Sequence, residues 1–260
     1  MPTLKLNRAR REDAEKTEEF YNALRTNIQL SGDGIDVISI SSVQSGEGKS
    51  TTSVNLAIAF ARSGYQTLLV DADIRNSVMS GVFSTRDKIT GLTDYLTGKN
   101  DLSEGLCDTD IENLYMIQAG PVSPNPTGLL QSQNFNKMID ILRKYYDYII
   151  IDTPPIGLVI DAAIITQQGD ATVLVVESGS NKRRAVEKAV EQLEQTGTPF
   201  LGVILNKVDT SMERYGSYGA YGSYGDYGNY GKKIREEKKK KEKKKDKEER
   251  SRSRRNRDKK

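Results

Sequence analysis

The chain has 260 residues, 29% of them charged, with one cysteine and no histidine. That composition excludes an internal disulfide framework and a cysteine nucleophile activated by histidine. No window approaches the ~20 apolar residues of a membrane-spanning helix and the N-terminus has no apolar stretch of signal length, so a cytoplasmic protein is expected. The net charge of +3 is uneven: residues 232–260 hold 18 Lys and Arg against 7 Asp and Glu, a net of +11, which leaves −8 for everything before them. A block of that kind attracts polyanions such as anionic lipid headgroups.

In chain order, residues 12–30 read as an amphipathic helix with Phe20, Tyr21, Leu24 and Ile28 on one face, ended by Gly32 and Gly34. A β-branched strand follows at 35–41, then the loop VQSGEGKST and a helix over 53–64 that stops at Gly64. Strands are expected at 66–73, 114–120, 147–155, 171–178 and 199–207. Helices are expected at 91–98, 135–146, 160–169 and 181–197. The strands are continuous apolar runs, the pattern of a parallel sheet covered on both faces. Their alternation with helices predicts a doubly wound, mostly parallel α/β sheet. From Tyr215 the chain repeats Tyr-Gly-x, which builds no core. The expected organisation is an N-terminal helical arm (1–34), a nucleotide-binding domain (35–210), a tyrosine cluster (211–231) and a basic disordered tail (232–260).

The loop after the first strand of that domain runs Val43, Gln44, Ser45, Gly46, Glu47, Gly48, Lys49, Ser50, Thr51. It matches the P-loop except that Val43 stands where the motif begins with Gly. Gly46 and Gly48 permit a tight turn that aims N–H groups at phosphate, and the helix that follows adds its N-terminal field. Lys49 is expected to reach the β- and γ-phosphates of ATP, and Ser50 to ligate Mg2+. Asp152 ends a Walker B-like run at the carboxyl edge of the sheet, where ligands bind in such folds, and is expected at the metal. Asp71 and Asp73 share a strand face if the strand continues, which suits metal coordination and proton abstraction from a hydroxyl. Arg75 is expected to offset their charge or to touch phosphate.

The P-loop, the Asp71-x-Asp73-x-Arg75 motif and the apolar run into Asp152-Thr153-Pro154-Pro155, followed by a C-terminal tyrosine cluster, resemble the bacterial tyrosine kinases. The likeness is to the cytoplasmic CpsD/CapB type of Gram-positive capsule and exopolysaccharide synthesis and covers roughly residues 15–230. It implies a kinase centre at Lys49, Ser50, Asp71, Asp73 and Asp152, with one of the two paired acids helping to deprotonate tyrosine. It implies autophosphorylation of Tyr215, Tyr218, Tyr221, Tyr224, Tyr227 and Tyr230 between subunits. It also implies a membrane-anchored activator with a cytoplasmic tail that holds the kinase at the inner face of the membrane, and a cognate tyrosine phosphatase. Ring-forming oligomers of this family use an E-x-x-R-x-x-R helix. Here Glu19, Asn22 and Arg25 fill that spacing, and an Asn makes no bidentate carboxylate contact.

Two other nucleotide readings and one non-enzymatic reading compete. Asn206-Lys207-Val208-Asp209 resembles the guanine-recognition motif of GTPases, but Pro155 has no N–H to give a γ-phosphate, so Asn206 is read as a base contact and Asp209 as incidental. A ParA/MinD-like ATPase switch carries a lysine where Gln44 stands. Specific nucleic-acid binding is not expected, because the aromatic and basic residues lie in separate blocks.

Overall fold

The computed structural model describes residues 1–209. The expectations placed on the tyrosine cluster and the basic tail fall outside those residues. Among the described residues nine strands are formed: β1 Thr3–Leu6, β2 Val37–Ser42, β3 Thr67–Asp71, β4 Phe83–Ser84, β5 Leu106–Thr109, β6 Leu114–Ile117, β7 Tyr148–Asp152, β8 Ala171–Glu177 and β9 Phe200–Asn206. The helices are α1 Arg8–Lys16, α2 Glu18–Leu30, α3 Lys49–Arg62, α4 Leu92–Leu96, α5 Leu102–Gly105, α6 Pro126–Leu130, α7 Gln133–Leu142, α8 Asp161–Thr166 and α9 Arg183–Glu194.

The strands form one sheet in the order β4-β1-β5-β6-β3-β7-β2-β8-β9. From β6 to β9 every neighbour is parallel. Successive residues of the central strands go to opposite faces. Ile38, Ile40, Leu69, Ile150, Val173 and Val175 enter one core cluster with α3, while Leu68, Val70, Ile149 and Ile151 enter another with Phe135, Met138 and Leu142 of α7. Both faces are therefore apolar, which is why the strands read as unbroken runs. Each such Ile or Leu contributes about 1.5–3 kcal/mol by leaving water.

At one end the sheet departs from the expected pattern. β5 runs antiparallel to β6, β1 joins β5 in parallel, and the two-residue β4 closes the edge antiparallel to β1. These short strands were not anticipated. The N-terminal segment therefore contributes a strand as well as helices, and Leu4, Leu6, Ala14 and Ile28 enter the same cluster as the central strands. Cys107 lies on β5, fully buried, and burial pushes its thiol up to about 11, so it is an inert core residue.

α2 also differs in its inward face. Ile28 is buried, and Tyr21 and Leu24 pack against the core, but Phe20 is 75% exposed. Position 20 neighbours 24 but lies about 80–100° round the helix from 28 and 21, at the margin of the buried stripe. Gln29 donates to the hydroxyls of both Tyr65 (3.1 Å) and Tyr148 (3.2 Å), which ties α2 to the ends of α3 and β7.

Because β7 lies between β3 and β2, the carboxyl ends of three strands meet in the middle of the sheet. The residues after β2, at the end of β3 and at the end of β7 are thereby brought together, and Asp71 and Asp152 are register partners.

Candidate active site

The loop from β2 to α3 is shaped by two glycines. Gly46 has φ 85° and Gly48 φ 94°, a region that L side chains avoid. At Gly48 a Cβ would also lie 2.0 Å from Asn206 Nδ2. α3 begins directly after Gly48, and its first internal bond runs from the Thr52 N–H to the Gly48 carbonyl at 2.9 Å. The N–H groups of Lys49, Ser50 and Thr51 precede that bond, which leaves them for an anion. Val43, the departure from the motif, is buried against Ile156 and Ala162, so its side chain is absorbed by the core.

The other side of the loop is braced. Glu47, grouped by sequence with the nucleotide contacts, is buried; its carboxylate accepts from Gln44 N (2.7 Å), Glu177 N (3.3 Å) and Asn181 Nδ2. Asn206 Nδ2 donates to the Glu47 carbonyl at 2.9 Å, and Lys207 Nζ to the Gly46 carbonyl at 2.8 Å. The ends of β8 and β9 thus hold the loop by its acceptors. Ser45 and Gly46 are exposed on its crest.

At the centre stands Asp152, 1% exposed. Its Oδ1 accepts from Lys49 Nζ (3.0 Å) and Ser53 Oγ (2.8 Å), and its Oδ2 from Ser50 Oγ (2.7 Å). Ser53 was not anticipated: only its place one turn after Lys49 on the same helix marks it. Lys49 Nζ also lies 3.9 Å from Asp73 Oδ2.

Asp71 and Asp73 both reach this cluster, although β3 stops at Asp71 and the intervening backbone turns. The Asp73 N–H donates to Asp71 Oδ1 at 3.3 Å, and Asp73 Oδ1 accepts from Asn76 N at 3.1 Å. Ser77 Oγ donates to Asp71 Oδ2 in a short bond. Burial, with the charge of Asp152 second, pushes the Asp71 carboxyl up to about 7 against the pull of Ser77 and Lys49. Burial also raises Asp73, partly offset by Lys49.

Arg75 turns to a partner that local sequence did not disclose. Its guanidinium grips Asp161, at the start of α8, by Nε–Oδ2 2.5 Å and Nη2–Oδ1 3.2 Å, and Nη2 reaches Thr127 Oγ1 at 2.9 Å. Asp161 is fully buried and also accepts from Thr127 at 2.7 Å. Arg75 thus clamps the loop after β3 to α6 and α8, and itself remains 40% exposed.

The donors around Lys49 are carboxylate and hydroxyl oxygens, the set that suits a hard cation. Among the described residues no three acidic side chains form a ready cage. Mg2+ does not require one: it takes one or two protein oxygens and completes its shell with water and phosphate. The adjacent Ser50 and Asp152 oxygens fit that demand. Away from this centre, Glu19 is exposed on α2, while Arg25 donates to Gln29 Oε1 at 3.0 Å and leaves its buried Nε without a partner.

A family model described as "AAA domain" matches residues 35–197. The chain is 64% identical over 216 residues to the tyrosine-protein kinase CpsD of Streptococcus pneumoniae serotype 4, spanning 83% of this chain and 95% of the relative. The crystal structure of the chimerical protein CapA2B2 is similar with a TM-score of 0.70 and 37% identity, over 73% of this chain and 84% of that one. The kinase domain of the Escherichia coli tyrosine kinase ETK is similar with a TM-score of 0.72 and 30% identity, over 77% and 79% of the two chains.

Proposed function

The chain belongs to the bacterial tyrosine-kinase family of the CpsD/CapB type, and from that membership we propose that it transfers the γ-phosphoryl group of ATP to tyrosines of its own tail, in trans, and so regulates capsule or exopolysaccharide synthesis. The observation that carries this reading is the cluster at the carboxyl ends of β2, β3 and β7: Lys49 and Ser50 on Asp152, with Asp71 and Asp73 beside them.

In the reaction, the tyrosine oxygen bonds to the γ-phosphorus as the bond to the β-phosphate oxygen breaks, and ADP leaves. Transfer of this kind depends on positioning and on charge more than on covalent help. The free N–H groups at the start of α3 hold the phosphates, and Lys49 offsets the charge that develops on the β–γ bridge. Ser50 and Asp152 would hold Mg2+, which would supply further positive charge there. A phenol has a pKa of about 10, so a nearby carboxylate or metal must help to remove its proton. Asp71, with a carboxyl near 7, matches a proton acceptor working at neutral pH. Asp73, on the Lys49 side, serves the metal and phosphates. Arg75 fixes the loop that carries both acids. Asn206 contacts the base.

Tyr215, Tyr218, Tyr221, Tyr224, Tyr227 and Tyr230 are the acceptors on this reading. Their Gly-rich spacing lets many registers reach a neighbouring centre. Glu19 and Arg25 of α2 contribute to the contact between copies, and a membrane-anchored activator brings the assembly to the inner face of the membrane. A tyrosine phosphatase reverses the modification. Among the described residues no helix is long and apolar enough to cross a membrane.

The test is incubation with ATP and Mg2+, alone and after co-expression with a membrane activator, followed by mapping of phosphotyrosine by mass spectrometry. Phosphate on the tail tyrosines, absent in Lys49→Met, is expected. Release of phosphate into solution with no phosphotyrosine under either condition overturns the reading in favour of an ATPase switch.

A further inference from the structure

The N-terminal helix holds a cation against the first turn of the helix that follows the phosphate loop. α1 is fixed at its start: Asn7 caps it by accepting from Arg10 N at 3.0 Å, while its own N–H and Nδ2 donate to the carbonyls of Val82 (3.0 Å) and Gly81 (2.6 Å). Three arginines follow. Arg8 pairs with Glu12 at 2.9 Å and Arg11 with Asp110 at 2.6 Å. Arg10, half-buried between them, has no carboxylate partner among the described residues; its Nη1 lies 3.3 Å from Thr51 Oγ1. Of the other partly buried arginines, Arg11 and Arg143 each meet an acid and Arg25 meets the Gln29 amide.

Thr51 occupies the third position of α3, the residue after Ser50. Lys49 and Ser50 serve the outer phosphates and the metal, so the next residue of that turn lies towards the phosphate joined to the nucleoside. We infer that Arg10 is a nucleotide-binding residue, whose guanidinium closes on the phosphate next to the nucleoside and couples the arm to nucleotide occupancy. The inference rests on the phosphotransfer reading for the identity of the ligand. Its logic is preorganisation: the helix is already anchored, and a guanidinium that faces a hydroxyl gains a charge-assisted partner when phosphate arrives.

The experiment is titration of the full chain with MgADP by calorimetry at two salt concentrations. The variants are Arg10→Met, which keeps the aliphatic stem, Arg10→Lys, and Arg8→Ala as a control on the same helix. Arg10→Met is expected to weaken MgADP about 10-fold or more and to flatten the salt dependence, Arg10→Lys to fall between, and Arg8→Ala to match the parent. Unchanged affinity in Arg10→Met while the parent binds overturns the role of Arg10 and leaves the kinase reading standing. Failure of the parent to bind MgADP overturns both. Equal weakening in Arg8→Ala assigns the effect to the helix as a whole and also overturns the inference.

Discussion

Lys49 and Asp152 meet in a 3.0 Å ion pair, both side chains buried, across 103 residues of chain. The pair joins the phosphate loop to the acidic strand ends, and it compensates three carboxylates at once. Lys49→Met should therefore do more than remove a phosphate contact. Phosphotransfer should fall about 10²–10³-fold. Because Lys49 holds Asp71 and Asp73 down, its loss lets both carboxyls rise, and the variant should lose more stability at pH 8 than at pH 6. Thermal unfolding in EDTA at the two pH values checks this; equal losses would contradict it.

Asp71 titrates in the folded protein near 7 and from 3.8 when exposed. Between those values the folded state binds more protons, so this group's contribution to stability falls as pH rises from about 4 to about 7 and is level above that. Asp71→Asn should abolish that slope and make the EDTA-treated protein more stable at pH 8, by several degrees in Tm, while destroying activity. Ser77→Ala should move the window upwards, because Ser77 lowers the Asp71 carboxyl. Denaturant melts from pH 4.5 to 8.5 measure both, and a parallel pH dependence in all three proteins would refute the assignment.

Gly48 tests the loop geometry. Alanine there meets both a positive φ, worth roughly 1–2 kcal/mol, and the Asn206 side chain. Adding Asn206→Gly removes the obstruction but not the strain. Urea midpoints should recover in part in the double variant, and full recovery would show that the backbone conformation is unimportant.

Arg75 and Asp161 should be strongly coupled. Arg75→Met strands a fully buried carboxylate with Thr127 as its remaining side-chain donor, at a cost of about 1–3 kcal/mol, moderated by the exposure of the arginine. Asp161→Asn alone should cost less. A double-mutant cycle by urea unfolding should return a coupling of at least about 1 kcal/mol; additive losses would rule the clamp out.

The six tail tyrosines are followed by a block of net charge +11. Each phosphate adds about −1.5 to −2, so full modification roughly cancels that block. Binding to anionic liposomes should fall after treatment with ATP and persist when the six tyrosines are replaced by Phe. Equal binding before and after treatment would discard the switch.

The parallel half of the sheet was legible because each strand is a buried run long enough to stand out, and the P-loop because its glycines encode backbone angles. β1, β4 and β5 were not. They are short and carry polar positions such as Lys5, Ser84 and Asp108, so no apolar run marks them as one marks the equally short β6. The three acids that gather near Lys49 were legible from their places at or just after strand ends. Ser53, Ser77 and Asp161 were not, since each becomes informative only through a contact fixed by the fold. Phe20 shows the limit of reading a helix face: spacing grouped it with Tyr21, yet α2 turns it to solvent.

The pairing of β1 with β5 has a consequence for biosynthesis. Pro2 and Leu4 receive the N–H groups of Asp108 and Asp110, and the other edge of β1 pairs with β4 at Phe83–Ser84, so β1 has no strand partner until roughly 80 further residues have been translated and lacks its parallel partner for about 20 more, several seconds at ordinary elongation rates. During that interval the nascent arm must wait unpaired, a stretch in which a chaperone has access to it. The start of α1, which carries Arg10, is fixed only after Gly81 and Val82 have left the ribosome.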